Sequence, residues 1–223
     1  MKPSFLFYGK KGDPFVSRAA EFISLHASDS EIVLGKRGDV FPGNTAYWDG
    51  DVIISYLSPW IIPEYVLKKA RKAAINFHPG PPEYPGIGCT NFAIYNEERV
   101  FGVTCHHMAQ QVDTGDIIEV KRFPVFATDT VFSITQQCYA HILSLFFDIV
   151  GCLLVGKQLP ASTETWQRRP YRRAELDALC EIKADMSENE ICRRVRAVTY
   201  PEAPGAFIQL AGFRFNKSNA EKH

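Results

Sequence analysis

The chain has 223 residues, 46% of them hydrophobic and 22% charged, which excludes a disordered chain and gives enough apolar material for one large core. Lys plus Arg and Asp plus Glu both number 25, so the formal net charge is zero and global charge gives no pull toward nucleic acid or a membrane surface. Six cysteines at 89, 105, 138, 152, 180 and 192 form no CxxC pair, which argues against a zinc ribbon or a disulfide scaffold and for reduced thiols in the cytoplasm.

The N-terminus enters an apolar run at once, without the h-region of a signal peptide. Residues 4–8 predict a strand that ends in the loop Gly9-Lys10-Lys11-Gly12. Phe15, Ala19, Phe22 and Ile23 recur at helical spacing over 14–26. Residues 31–34 and 51–56 predict two further strands, the second apolar enough to lie buried in a parallel sheet. Pro63 to Lys72 predicts a short helix with proline in its first turn, and residues 73–77 a fourth strand. This order of strands and helices predicts an α/β fold: an open, Rossmann-like, mainly parallel sheet with helices on both faces and ligands at the carboxyl ends of its strands.

A Pro/Gly-rich loop, 79–88, then leads to a helix over 90–96. Strands are predicted over 100–108 and 117–123, joined by the tight loop 110–116. A long helix follows over about 129–155. Its apolar patch, Ile142 to Val155, contains Asp148 and reads as a core helix rather than a membrane span, which needs about 18 unbroken apolar residues. Residues 162–180 are polar and read as a solvated basic face around Arg168, Arg169, Arg172 and Arg173. An amphipathic helix is expected over 187–198, and a hairpin over 206–215 that turns at Ala211-Gly212. The predicted division is a catalytic domain over 1–165 and a small helix-and-hairpin appendage over 166–223.

Asn76 and His78 lie two residues apart on the fourth strand, so they share a face at its end. The stiff loop Pro79-Gly80-Pro81-Pro82 cannot continue the sheet, which opens both side chains to the ligand crevice. Asp113, in the turn Asp113-Thr114-Gly115-Asp116, brings a carboxylate that can orient an imidazole. An amide, an imidazole and a carboxylate, with no metal cluster and no Ser or Cys nucleophile pattern, suit transfer of a one-carbon acyl group to an amine. The Asn NH2 and a protonated His stabilise the oxyanion, and the His–Asp pair handles proton traffic. His106 and His107 alternate faces of a strand and read as structural.

The run Asn76-Phe77-His78-Pro79-Gly80-Pro81-Pro82-Glu83-Tyr84-Pro85-Gly86 resembles the signature of the folate-dependent formyltransferases. The second block of that family is matched by Gly102-Val103-Thr104-Cys105-His106-His107-Met108 and Val112-Asp113-Thr114-Gly115-Asp116. The resemblance covers about residues 1–125. It implies a catalytic triad of Asn76, His78 and Asp113 and 10-formyltetrahydrofolate as the formyl donor. It also implies that the pteridine is wrapped by Ser58, Pro59, Trp60, Ile61 and Ile62 on one side and Gln110, Gln111 and Val112 on the other. Many members carry Ser-Leu-Leu-Pro where this chain has Gly80-Pro81-Pro82, a departure that bears on the acceptor. Lys10, Gly80 and Tyr84 are the expected acceptor contacts, Lys10 through a loop suited to a phosphate.

The tail from Tyr171 through the hairpin resembles the compact tail of the nucleotide-sugar N-formyltransferases, which implies a nucleotide-linked amino-deoxysugar, a dTDP-3- or 4-amino sugar, as acceptor, while zero net charge disfavours transfer RNA. Such enzymes serve surface polysaccharides such as lipopolysaccharide O-antigen. Glycinamide ribonucleotide, methionyl-tRNA and a non-catalytic folate-binding domain are the alternatives. The hairpin residues Phe207, Ile208, Phe213 and Phe215 could form a homodimer surface or cover the core.

Overall fold

Phe5–Lys10 forms the central strand β1, whose first five residues are wholly shielded. The computed structural model describes residues 2–27, 29–201 and 203–217; the end of the predicted tail region, 218–223, lies outside them. Helix α1 (Pro14–His26) starts where Asp13 accepts the backbone N–H of Phe15 and Val16, a side-chain N-cap next to a proline in the first turn. Strands β2 (Ser30–Gly35) and β3 (Gly50–Tyr56) flank β1 in parallel. A short 3-10 helix, Gly43–Tyr47, precedes β3.

The predicted helix over 63–72 is cut to one turn, α2 (Glu64–Leu67), because strand β4 (Ala70–His78) starts sooner than expected. Gly50 pairs with Ala70 and Val52 with Ala73, so sheet pairing overrides the helix propensity of the Ala- and Lys-rich segment. Helix α3 (Cys89–Tyr95) leads into β5 (Val100–His107) and β6 (Ile117–Pro124). Both are antiparallel to their neighbours. The sheet is therefore mixed, in the order β2-β1-β3-β4-β5-β6, with its parallel half on the β2 side.

One face carries α1, α3 and α4 (Val131–Leu154) over the main apolar cluster, which includes Phe7, Ile54, Phe77, Phe101 and Phe146. The other face is covered by α2, the 3-10 helix and the loop after β3, over Leu6, Tyr8, Ile53, Ile62 and Val66. By length and mean hydropathy α4 would suffice to cross a membrane. Its stripe of Ile134, Cys138, Ile142, Leu145, Phe146 and Ile149 is spent on the core, as the sequence reading expects of it.

Beyond α4, the polar stretch holds a helix the sequence reading does not contain, α5 (Arg173–Cys180). Glu175 caps it by accepting the Arg172 N–H at 2.9 Å and also takes ion pairs from Arg168 and Arg169. These arginines are thus held within the tail rather than left as a free basic face. Helix α6 (Glu188–Val198) and the hairpin β7 (Phe207–Leu210) and β8 (Phe213–Asn216) match expectation, with the turn at Ala211-Gly212. Leu179, Ile182, Ala197, Val198 and Ala206 all join the main cluster.

Candidate active site

Strand β4 delivers its last residues by simple alternation. Phe77 is buried in the main cluster, so Asn76 and His78 take the opposite side. Asn76 pairs across the sheet with His106 on β5, and His78 with Thr104. The loop 79–88 folds back under the strand: Tyr84 donates its N–H to Pro81 O at 2.8 Å, and Tyr84 O lies 2.9 Å from His78 Nε2.

Asp113 reaches this pair from the β5–β6 turn with φ 48°, a left-handed conformation that Asp tolerates better than most side chains. Its Oδ2 lies 3.2 Å from His78 Nδ1 and accepts the Gly86 N–H at 2.8 Å. Its Oδ1 lies 3.2 Å from His106 Nε2 and 3.4 Å from Asn76 Nδ2. Asn76 Nδ2 in turn lies 3.0 Å from His106 Nε2. Burial by itself would raise the Asp113 carboxyl. The His78 ring, then His106 and the Gly86 N–H, outweigh it and hold the carboxyl well below the usual carboxylate range. His78 thus has a carboxylate at one nitrogen and a carbonyl at the other, acceptors for both N–H groups of an imidazolium.

The sequence-predicted triad is brought together, and His106 is added to it. His106, read as structural from the sequence, is 2% exposed and touches both Asn76 and Asp113. Trp166 was not singled out at all. Its indole stands edge-to-face against His106 and His78, with ring centres 5.0 and 6.0 Å away. Cys89 also lies close, its thiol donating to Pro79 O at 3.1 Å. Burial pushes that thiol up to about 12, so it is no nucleophile at neutral pH.

A cavity of about 350 Å³ opens from the site. Ser58, Pro59, Trp60, Ile61 and Ile62 line it from the loop after β3, and Gln110, Gln111 and Val112 from the loop before Asp113. Leu57 turns this first wall with φ 49°. The Trp60 indole donates to Asp39 O at 2.9 Å and packs beside Tyr8 and Phe41, over Gly35, where a Cβ would stand 2.2 Å from the ring. The cavity falls within the range of about 300–1,000 Å³ typical of small-molecule clefts. Its mix of apolar side chains and loop backbone suits a flat heterocycle with polar edges.

The expected acceptor contacts divide. Lys10 lines the cavity and stays half-exposed, 3.7 Å from Asp13. Tyr84 is corrected: it is 4% exposed, and its hydroxyl donates to Glu98 at 2.5 Å, away from the cavity. Gly80 is corrected too. It is buried, and a Cβ there would come 2.7 Å from His78 Nε2, so it makes room for the imidazole rather than meeting a substrate.

Residues 44–145 match the formyl transferase family model. Among curated proteins the chain is similar to GDP-perosamine N-formyltransferase of Brucella melitensis, 32% identical over 168 residues, which are 75% of this chain and 64% of the relative. The chain thus spans just under two-thirds of that relative's length. In fold it is similar to a sugar N-formyltransferase from Shewanella, with a TM-score of 0.76, 18% identity and 96% of each chain covered. A Helicobacter canadensis N-formyltransferase in complex with folinic acid and dTDP-3-aminofucose aligns with a TM-score of 0.73 and 17% identity, over 95% of this chain and 85% of that one.

Proposed function

We propose that this protein is an enzyme that transfers the formyl group of 10-formyltetrahydrofolate to the amino group of a nucleotide-linked amino-deoxysugar. The observation that carries the reading is the convergence of Asn76, His78 and Asp113 on one cavity whose two walls are the loops 57–62 and 108–113. When bound, the folate supplies an activated formyl group; the residues that would hold it are Ser58 to Ile62 and Gln110 to Val112. Asn76 and His78 would stabilise the negative charge on the formyl oxygen as an amine adds to its carbon, His78 by turning Nε2 away from Tyr84 O. Asp113 keeps the imidazole oriented through its contact with Nδ1. The amine would lose its proton to this His–Asp pair or a water held by it, and a proton would return to the donor nitrogen as its bond to the formyl carbon breaks and tetrahydrofolate leaves.

The acceptor enters from the side of Lys10, whose half-exposed ammonium, shared with Asp13, suits a diphosphate. The names of the similar proteins support an amino sugar: one is a GDP-perosamine enzyme, and another was crystallised with dTDP-3-aminofucose. A dTDP-linked 3- or 4-amino sugar is the form we propose. A cytoplasmic role in making O-antigen or related surface polysaccharide follows from such an acceptor. The exposed hairpin residues Ile208, Leu210, Phe213 and Phe215 support a homodimer.

The test is an acceptor screen. Purified protein is given 10-formyltetrahydrofolate with dTDP- and GDP-linked 3- and 4-amino sugars, glycinamide ribonucleotide or methionyl-tRNA, and released tetrahydrofolate is followed by absorbance. We expect turnover with an amino-sugar nucleotide only. Turnover with glycinamide ribonucleotide or methionyl-tRNA instead would overturn the acceptor assignment, and none with any amine would overturn formyl transfer.

A further inference from the structure

The segment 162–171 crosses the outside of the site and is tied to the proline loop 79–88 and to the β5–β6 turn and the start of β6. Ser162 donates its N–H to Ile117 O at 3.1 Å, Gln167 to Pro82 O at 3.0 Å and Tyr171 to Pro85 O at 2.9 Å, while Ile87 donates to Tyr171 O at 3.1 Å. Arg122 pairs with both Glu83 of the proline loop and Glu164 of this segment. The Tyr171 ring lies on Phe92, with centres 3.8 Å apart, and Arg168 covers its other side at 3.2 Å. The contact is close enough that Gly86, at φ 88°, leaves no room for a Cβ: one would meet Tyr171 O at 2.4 Å.

At the centre of this strap, Trp166 donates its indole N–H to Gly115 O at 2.8 Å. Gly115 belongs to the turn that carries Asp113 and packs so tightly on β5 that a Cβ would fall 1.9 Å from His107 O. Trp166 does not line the cavity. It therefore touches His78 and His106 from the side away from the cavity.

We propose that Trp166 is a positioning residue of this site, which holds the Asp113 turn through Gly115 and closes the His78 and His106 rings off from water. The need for such a residue follows from Asp113. Its left-handed backbone stores strain, and its carboxylate meets partners from β4, β5 and the proline loop at once. A shift of about 1 Å in the turn would disturb several of these contacts together, and misplacement on that scale costs on the order of 10²-fold in rate. The proposal rests on the formyl-transfer reading only for its kinetic consequence; the hold on the turn is readable without any substrate.

Two variants test it. Trp166→Phe keeps a ring against the histidines and loses the N–H, while Trp166→Ala loses both. We expect kcat for formyl transfer to fall about 10-fold in the first and about 10²-fold in the second, with the KM for 10-formyltetrahydrofolate changed by less than about threefold, because the donor walls are untouched. Amide hydrogen exchange of Gly86, whose N–H is held by Asp113, is expected to quicken about 10-fold in Trp166→Phe, together with residues 113–116. Exchange in β1 and β3 should stay unchanged. Unchanged Gly86 exchange overturns the proposal whatever the fate of the function. Faster exchange spread equally over β1 and β3 overturns it as well, since it marks global loss of stability. If Trp166→Ala does not fold, Trp166→Phe carries the test alone.

Discussion

Asp113 collects partners from four places in the chain: Asn76, His78, Gly86 and His106. A buried carboxylate is tolerable only when its charge is met in this way. Because its carboxyl is held below the ordinary range, it adds stability that is full above a pH of about 4, where the unfolded chain is ionised. That stability fades as pH falls toward the lowered native value. Asp113→Asn should lose on the order of 10²-fold in turnover and about 1–3 kcal/mol of stability at pH 7. Urea unfolding from pH 7 to pH 3 checks the linkage: the gap between wild type and variant should narrow below about pH 4, and a constant gap would count against it. Asn76, His78 and Asp113 were legible in the sequence through their combination and the family signature it resembles, since strand alternation before a proline and a polar turn are each weak signals alone. His106 was not, since His106 and His107 offer equivalent rings on opposite faces. Only the pairing of Asn76 with His106, beside a register shift at Cys105/His106, selects one.

Strand β4 is the element on which the site depends. It is parallel to β3 on one side and antiparallel to β5 on the other. Its end therefore meets the loop after β3, while the loop after β5 folds back beside its first half, where Met108 donates to Ala74 O. Those two loops become the cavity walls. The β5–β6 turn is fixed by contact more than by sequence pattern, and Gly115 is the point of contact. Gly115→Ala should displace the turn because the obstacle is backbone, His107 O, which cannot rotate away. We expect turnover to fall by 10²-fold or more with retained far-UV circular dichroism; near-native turnover would show that the turn can shift at no cost. Helix α5 escaped the sequence reading because it is only eight residues long and follows an arginine-rich stretch. Its start is set by Glu175 capping Arg172, an acid that composition alone reads as solvent-facing charge. The lost part of the predicted helix over 63–72 is the reverse case: residues with good helix propensity are drafted into a sheet edge by β3.

At the scale of the whole molecule, the tail is wall and core as well as appendage. Asn91 on α3 donates to Ala197 O on α6 at 2.8 Å, and Tyr95 donates to Glu190 at 2.8 Å. Leu179, Ile182, Ala197 and Val198 lie in the same apolar cluster as the sheet. Ending the chain after residue 161 would strip these side chains and the strap together. We expect such a chain to lose cooperative thermal unfolding and to bind a hydrophobic dye, as expanded states do; a sharp transition near the wild-type temperature would show that 1–161 folds alone. The broad α/β plan was readable because strand and helix periods alternate clearly along the first half. The tail's merger with the core was not, because its contacts join residues about a hundred positions apart. A smaller feature has its own evolutionary consequence. The Trp60 indole occupies the space that a side chain at position 35 would need. Natural variation at these two sites is therefore expected to be coupled: a side chain at 35 requires the ring at 60 to move or shrink, and with it part of the cavity's first wall.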